Sequence, residues 1–421
     1  MHRRAFLASG GRAVLAGMAV AKGDSPACAR ELISSHNGIE QRVAIVVEAY
    51  DAQGNHRTAT AVDNASAEWL ALEVRRAGVE ASIEPFALRR IDPVDCYLRI
   101  GGRRIEGVPL FDANFTGPDG IDGKLGPFGS GAEIALVETA PFSLVEPRRE
   151  QGGPIAIARR GTHKGIVLVT RGNRPGLFLI NAASFMTPLG PPMLQVSSAE
   201  GEWLKAQVEQ RAEANLVVCV ERKAAQALNV TARVAGRDPS LQPLVISTPR
   251  SGWWQCASER GGGLACWLET IRELVAANPA RECLFVAFSG HETGFVGIDA
   301  YMALRPDLVR RAHAWVQLGA NFGAPRQPNE LHTQDDVLEA WAVAALAKEG
   351  IAVDHVAPRG SLPRAEAATL HRSGARYIAL LCGSDVFHSA ADRWPDALDV
   401  ATLARYARAF ANGTLELAKP A

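Results

Sequence analysis

Residues 285–301 read FVAFSGHETGFVGIDAY, and no other stretch of the chain narrows its fold so far. Phe285, Val286, Ala287 and Phe288 form an unbroken apolar run, the pattern of a strand buried on both faces of a parallel sheet. Ser289-Gly290 ends the run. His291 and Glu292 then stand side by side on a turn flanked by Gly290 and Gly294, at the carboxyl end of the strand, where open α/β sheets gather their chemistry. A His-Glu pair there can supply a base and a metal ligand.

The surrounding pattern extends this reading. From about residue 228 strand-like runs (Leu228 to Val234, Pro243 to Ser247, Cys283 to Phe288, Ala314 to Leu318, Arg376 to Leu381) alternate with helical stretches (Leu264 to Ala277, Val337 to Glu349, Asp399 to Leu415). Such alternation predicts an α/β fold with a mostly parallel sheet and helices on both faces. Between about 95 and 225 the texture changes to short apolar runs punctuated by Gly and Pro, which predicts a β-rich module. A helix over Asn64 to Ala77 and a strand over Val79 to Phe86 precede it.

A chain of 421 residues with 47% hydrophobic content can build two or three domains with real cores. Its 45 basic and 45 acidic residues cancel and form no long basic block, which argues against nucleic acid or an anionic membrane as partner. Small peptides or amides remain as partners. His2-Arg3-Arg4-Ala5-Phe6-Leu7 has the look of a twin-arginine signal, and Ala13 to Ala21 is too short to span a bilayer. A signal over 1–29 implies a periplasmic or secreted protein with no integral membrane segment once processed. Without Cys28, six cysteines remain and no C-x-x-C pair; Cys256 and Cys266 bracket a Gly-rich turn, but a disulfide between them is not expected.

The strand, turn and aromatic of 285–301 resemble the zinc aminopeptidase and glutaminyl cyclase superfamily, in which an apolar strand precedes a Glu-Glu pair, a Gly-rich stretch and an aromatic. Glu292 matches the second Glu, a metal ligand in the family, and Tyr301 matches the aromatic. His291 stands where the family keeps its general base. The segment TPRSGWWQCASERGGGLACWLE (248–269) is similar to the family's ligand-bearing turn, with Glu259 at the metal-bridging Asp and Arg260 at its Asn neighbour. Pro249 and Ser251 replace a His and an Asp there, and Gly319 falls where a further ligand Asp belongs. Phe387-His388, with Asp392 four residues on, reproduces the family's C-terminal Tyr-His and Asp. PRAEAATLHRSGARYIAL (363–380) resembles the segment that sets an acidic residue, here Glu366, beside the substrate. Residues 191–210 resemble the protease-associated domain inserted into such exopeptidases.

The resemblance covers the chain from about residue 45 to its end and implies a zinc exopeptidase-like α/β unit (30–94 and 228–421) with a β-rich insert over 95–227. It implies an exported hydrolase of amide or peptide bonds using at most one zinc ion, held by Glu259, Glu292 and His388, which should converge. His291 would act as base and Glu366 beside it, with Arg250, Trp253, Trp254 and Arg260 contacting substrate. Alternatives stay open. His291 could itself ligate metal while Glu259 pairs with Arg250 or Arg260; Ser251, Ser258 or Ser289 could serve His291 as a metal-free nucleophile; or the chain could be an inactive binder of a peptide or cell-wall-derived ligand, or a cyclase-like acyl transferase.

Overall fold

The computed structural model describes residues 38–140, 153–325 and 328–420, so the twin-arginine-like segment lies outside the described residues. Helix α1, Ile39–Asp51, buries Val43, Val46, Val47 and Tyr50, the i, i+3, i+4, i+7 face of an amphipathic helix. Helix α2, Ala61–Arg76, starts where the Thr60 side chain accepts from Asp63 N, and it buries Ala67, Leu70, Ala71 and Val74. Both press on the sheet.

In chain order the strands are β1 Ala81–Ile100, β2 Arg103–Glu106, β3 Val108–Pro109, β4 Ile121–Pro127, β5 Ile134–Thr139, β6 Gly165–Thr170, β7 Met193–Val196 and β8 Glu213–Val234. They continue as β9 Leu244–Pro249, β10 Cys283–Phe288, β11 Ala314–Leu318, β12 Asn329–Thr333, β13 His355–Val356 and β14 Tyr377–Cys382. The strands β14, β11, β9 and β10 run parallel and adjacent, with Ile246 opposite both Phe285 and Val316. This is the expected α/β class, with antiparallel β8 and β12 flanking the parallel centre.

Helices α3 Gly262–Ala277, α4 Val296–Ala303, α5 Asp336–Lys348 and α6 Val400–Leu417 cover the sheet. One core joins α1, α2, α3, α5 and α6 to one face through Trp267, Phe285, Phe322 and Phe410; another packs Phe288, Tyr301 and Trp315 on the opposite face. Glycine lets α3 approach closely. A Cβ on Gly262 would lie 2.5 Å from the Phe322 carbonyl oxygen, and one on Gly263 2.8 Å from Thr248 Oγ1.

Two strands are far longer than their sequence suggests. β1 and β8 pair antiparallel from Ala81–Ala232 to Ile100–Ala214, interrupted by one irregularity between Pro93 and Asp95. Proline at 85 and 93 and the charged run Glu221-Arg222-Lys223 read as breaks, yet β1 has β2 on its other edge only from Tyr97 onward. Pro costs no ladder hydrogen bond on an open edge. From the far end of this ribbon, β4, β5, β6 and β7 continue as a second parallel run around a separate core of Leu98, Leu125, Val167, Leu194 and Leu216. No helix among the described residues is long and apolar enough to cross a membrane. Cys256 and Cys266 are both free and buried.

Candidate metal centre

All four parallel strands end at one place, and each following turn holds a non-glycine residue in the left-handed region. These are Cys256 (φ 56°) after β9, Phe295 (φ 64°) after β10, Asn321 (φ 62°) after β11 and His388 (φ 62°) after β14. Such backbones cost about 1–3 kcal/mol each and gather at functional sites. Here they ring one group of side chains.

Glu259 sits on a π-type turn, Ala257–Gly261, in which Gly261 N donates to Cys256 O at 3.1 Å, five residues back. Asp392 holds this turn: Ser258 N and Glu259 N donate to its two carboxylate oxygens at 2.7 and 3.0 Å. Residues 388 and 392 thus contribute one side chain to the centre and one support beneath Glu259. Ligand atoms of Glu259, His291 and His388 all lie within 4.8 Å of one another. His388 Nε2 stands 3.6 Å from Glu259 Oε1 and is buried with no hydrogen-bond partner. His291 Nδ1 lies 2.8 Å from Glu366 Oε1, which leaves its Nε2 for the centre.

Burial pushes the His388 imidazole down to about 4, keeping the ring neutral, the form a metal accepts. Burial opposes ionisation of Glu259, but the adjacent Arg260 guanidinium, with His388 and His291, holds its carboxyl below the usual range. The same contest at Glu366 is won by His291. One carboxylate and two imidazoles, with an acid behind one imidazole, make a donor set that fits zinc.

Glu292, expected as a ligand, is not in this group. Its Oε1 accepts from Thr58 N at 2.5 Å and Thr58 Oγ1 at 2.6 Å, and its Oε2 from Ser251 Oγ at 2.7 Å. Two hydroxyls and an amide surround the carboxylate, so His291 replaces Glu292 among the converging three. Thr58, on the loop before α2, escapes sequence reading because a hydroxyl 234 positions from its acceptor leaves no local pattern.

The serines are equally occupied. Ser251 Oγ donates to Glu292 and accepts from Gly290 N; Ser289 Oγ donates to Asp63 at 2.8 Å; Ser258 Oγ faces Asn321 Oδ1 at 3.4 Å. Arg250 pairs with Asp63 at 2.9 Å and donates to the Leu228 carbonyl, fully buried. Arg260 donates to Glu259 Oε1 at 2.6 Å and to Ser251 O at 2.7 Å, also fully buried. Trp253 stacks on Phe111 and donates to Asn181 Oδ1, and Trp254 donates to His388 O. None of these four lines the cleft. They hold its floor and the loop that carries His388.

That cleft, of about 1090 Å³, opens between the main sheet and the β4–β7 lobe, with His291 and His388 on its wall beside Phe178, Phe295 and Phe387. Leu179 N donates to His388 O and Ala182 N to Glu292 O, stitching the lobe's loop to the centre.

Parallel strands converging on a His-Glu centre in a two-lobed mixed sheet define the aminopeptidase-like α/β fold. Solved structures agree. An aminopeptidase from Aneurinibacillus sp. strain AM-1 superposes with a TM-score of 0.67 at 16% identity, over 91% of this chain and 94% of that one. A zinc aminopeptidase from Bacillus subtilis gives 0.71 at 17%, over 90% and 94%. A peptidase precursor from Shewanella amazonensis gives 0.71 at 16%, over 91% and 95%. At these identities the likeness is one of fold. Neither a family model nor a curated protein matches the sequence.

Proposed function

We propose that the chain is an exported hydrolase of amide or peptide bonds that works with a single zinc ion held by Glu259, His291 Nε2 and His388 Nε2. The observation that carries this is the convergence of three buried ligand atoms within 4.8 Å, one of them an imidazole nitrogen with no other partner. Zinc bound there would polarise a carbonyl and make water a nucleophile at neutral pH. Glu366 accepts from His291 Nδ1, fixing the tautomer that aims Nε2 into the cleft. Asp392 and Arg260 hold Glu259 in place, and Phe178, Phe295 and Phe387 offer an apolar wall to a side chain. The solved structures named as zinc aminopeptidases support the same reaction class. Residues 95–227 would serve as an inserted lobe closing one side of the cleft, and twin-arginine export would suit a metalloprotein loaded before transport.

A second reading is favoured by the Arg260–Glu259 pair, which already neutralises the one carboxylate of the centre. Without metal, His291 backed by Glu366 is a positioned proton acceptor or a peptide-binding group. Metal content of untagged protein, measured with turnover on an amide library, separates the two. About one zinc per chain is expected, and metal-free protein of undiminished activity would overturn the zinc reading.

A further inference from the structure

We propose that the cleft takes an amide whose amine is acylated and whose far end is a free carboxylate, an N-acyl amino acid or N-blocked short peptide, in preference to a peptide with a free amino terminus. This rests on the amide-hydrolase reading above. It deepens that reading from the charges around the centre.

An ammonium brought into a buried centre needs a carboxylate facing it. Here the carboxylates at the centre are all engaged and none lines the cleft: Glu259 with Arg260, Glu366 with His291, Glu292 with Thr58 and Ser251. Among the described residues of the cleft wall, two are acidic. Asp112 is bound to Arg159 at 2.5 Å and to Ser184 N at 3.0 Å. Asp299 stands exposed on α4, facing Thr369 Oγ1 at 3.4 Å, within the field of Arg372. Against these two the wall carries four guanidiniums, on Arg159, Arg160, Arg364 and Arg372. A cleft with that excess attracts anions and repels an ammonium.

Arg372 is the anchor for the carboxylate. It is exposed at the end of the helix Ala367–Arg372 that follows Glu366, and it forms no ion pair with an acidic side chain among the described residues. Its planar fork suits a carboxylate bidentately. In the reaction the oxygen of water bonds to the acyl carbon and the C–N bond breaks. One water proton passes to the departing amine, and the products are the acyl carboxylate and a free amino acid.

The test is isothermal titration of the metal-loaded protein with three matched probes: N-acetylphenylalanine, phenylalanine amide and N-acetylphenylalanine amide. The first should bind about tenfold tighter than either of the others, the difference that one charge-assisted contact supplies. Arg372→Gln should remove that advantage while leaving the affinity for N-acetylphenylalanine amide unchanged. Tightest binding of phenylalanine amide, equal loss for all three probes in Arg372→Gln, or no binding of any probe at millimolar concentration would overturn the proposal. Because the readout is binding, failure of every amide to be hydrolysed would count against the hydrolase reading and leave this comparison standing.

Discussion

Replacing Arg260 by Gln should destabilise the metal-free protein by several kcal/mol and make its stability respond to zinc far more than the wild type does. Arg260 Nη2 lies 2.6 Å from Glu259 Oε1, and both side chains are 1% exposed or less. Two unit charges roughly 4 Å apart interact by about 4 kcal/mol at an effective dielectric of about 20. Removing one partner of such a buried pair typically costs about 3–5 kcal/mol, because the other charge is left uncompensated. If Glu259, His291 and His388 hold zinc, the ion then becomes the only cation facing Glu259. Free zinc at about a hundred times the dissociation constant should restore about 2.7 kcal/mol. Urea unfolding of wild type and Arg260→Gln, each with chelator and with buffered zinc, measures both terms. Equal zinc stabilisation of the two proteins, or none in the variant, would refute placing the ion beside Glu259.

Further expectations follow from single contacts. Glu366→Gln removes the acceptor behind His291 and should lower zinc affinity about 10- to 100-fold, read by competition with a chelating dye. Ser258→Ala should keep turnover within a few-fold, since its hydroxyl makes only a 3.4 Å contact to Asn321; loss of all activity would restore a serine nucleophile. Burial, with Arg250 nearby, holds the His56 imidazole down to about 3, so its contribution to stability is complete above pH 6.5 and is lost as pH falls toward 3. Between pH 6.5 and 5 the fold should lose about 2 kcal/mol from this ring, a slope that His56→Phe should flatten in denaturant titrations.

Much of the centre was legible because its residues follow apolar strands. Phe285–Phe288 announce β10, and His291 and His388 sit where strand ends of a parallel sheet must meet. Glu259 converged with them as expected. Glu292 did not, because Thr58 and Ser251, on two other loops, present hydroxyls that capture its carboxylate; adjacency to His291 in sequence says nothing of that. Arg250, Trp253 and Arg260 read as substrate contacts because exposed Arg and Trp often are. Each instead meets a buried partner, Asp63, Phe111 or Glu259, that no local pattern pairs with it. The long strands β1 and β8 were hidden by prolines that an open edge tolerates.

That paired ribbon also fixes how the protein can move. β1 and β8, 20 and 22 residues long, pass from the main sheet into the lobe as one hydrogen-bonded beam, so the two walls of the cleft share a common girder. A loop hinge would let the walls swing freely. This girder can only twist, and its one irregularity, between Pro93 and Asp95 around the exposed Val94, is where that torsion concentrates. Substrate therefore enters a slot of nearly constant width, and exchange of the β1 and β8 amides with solvent should be slow everywhere except beside Val94.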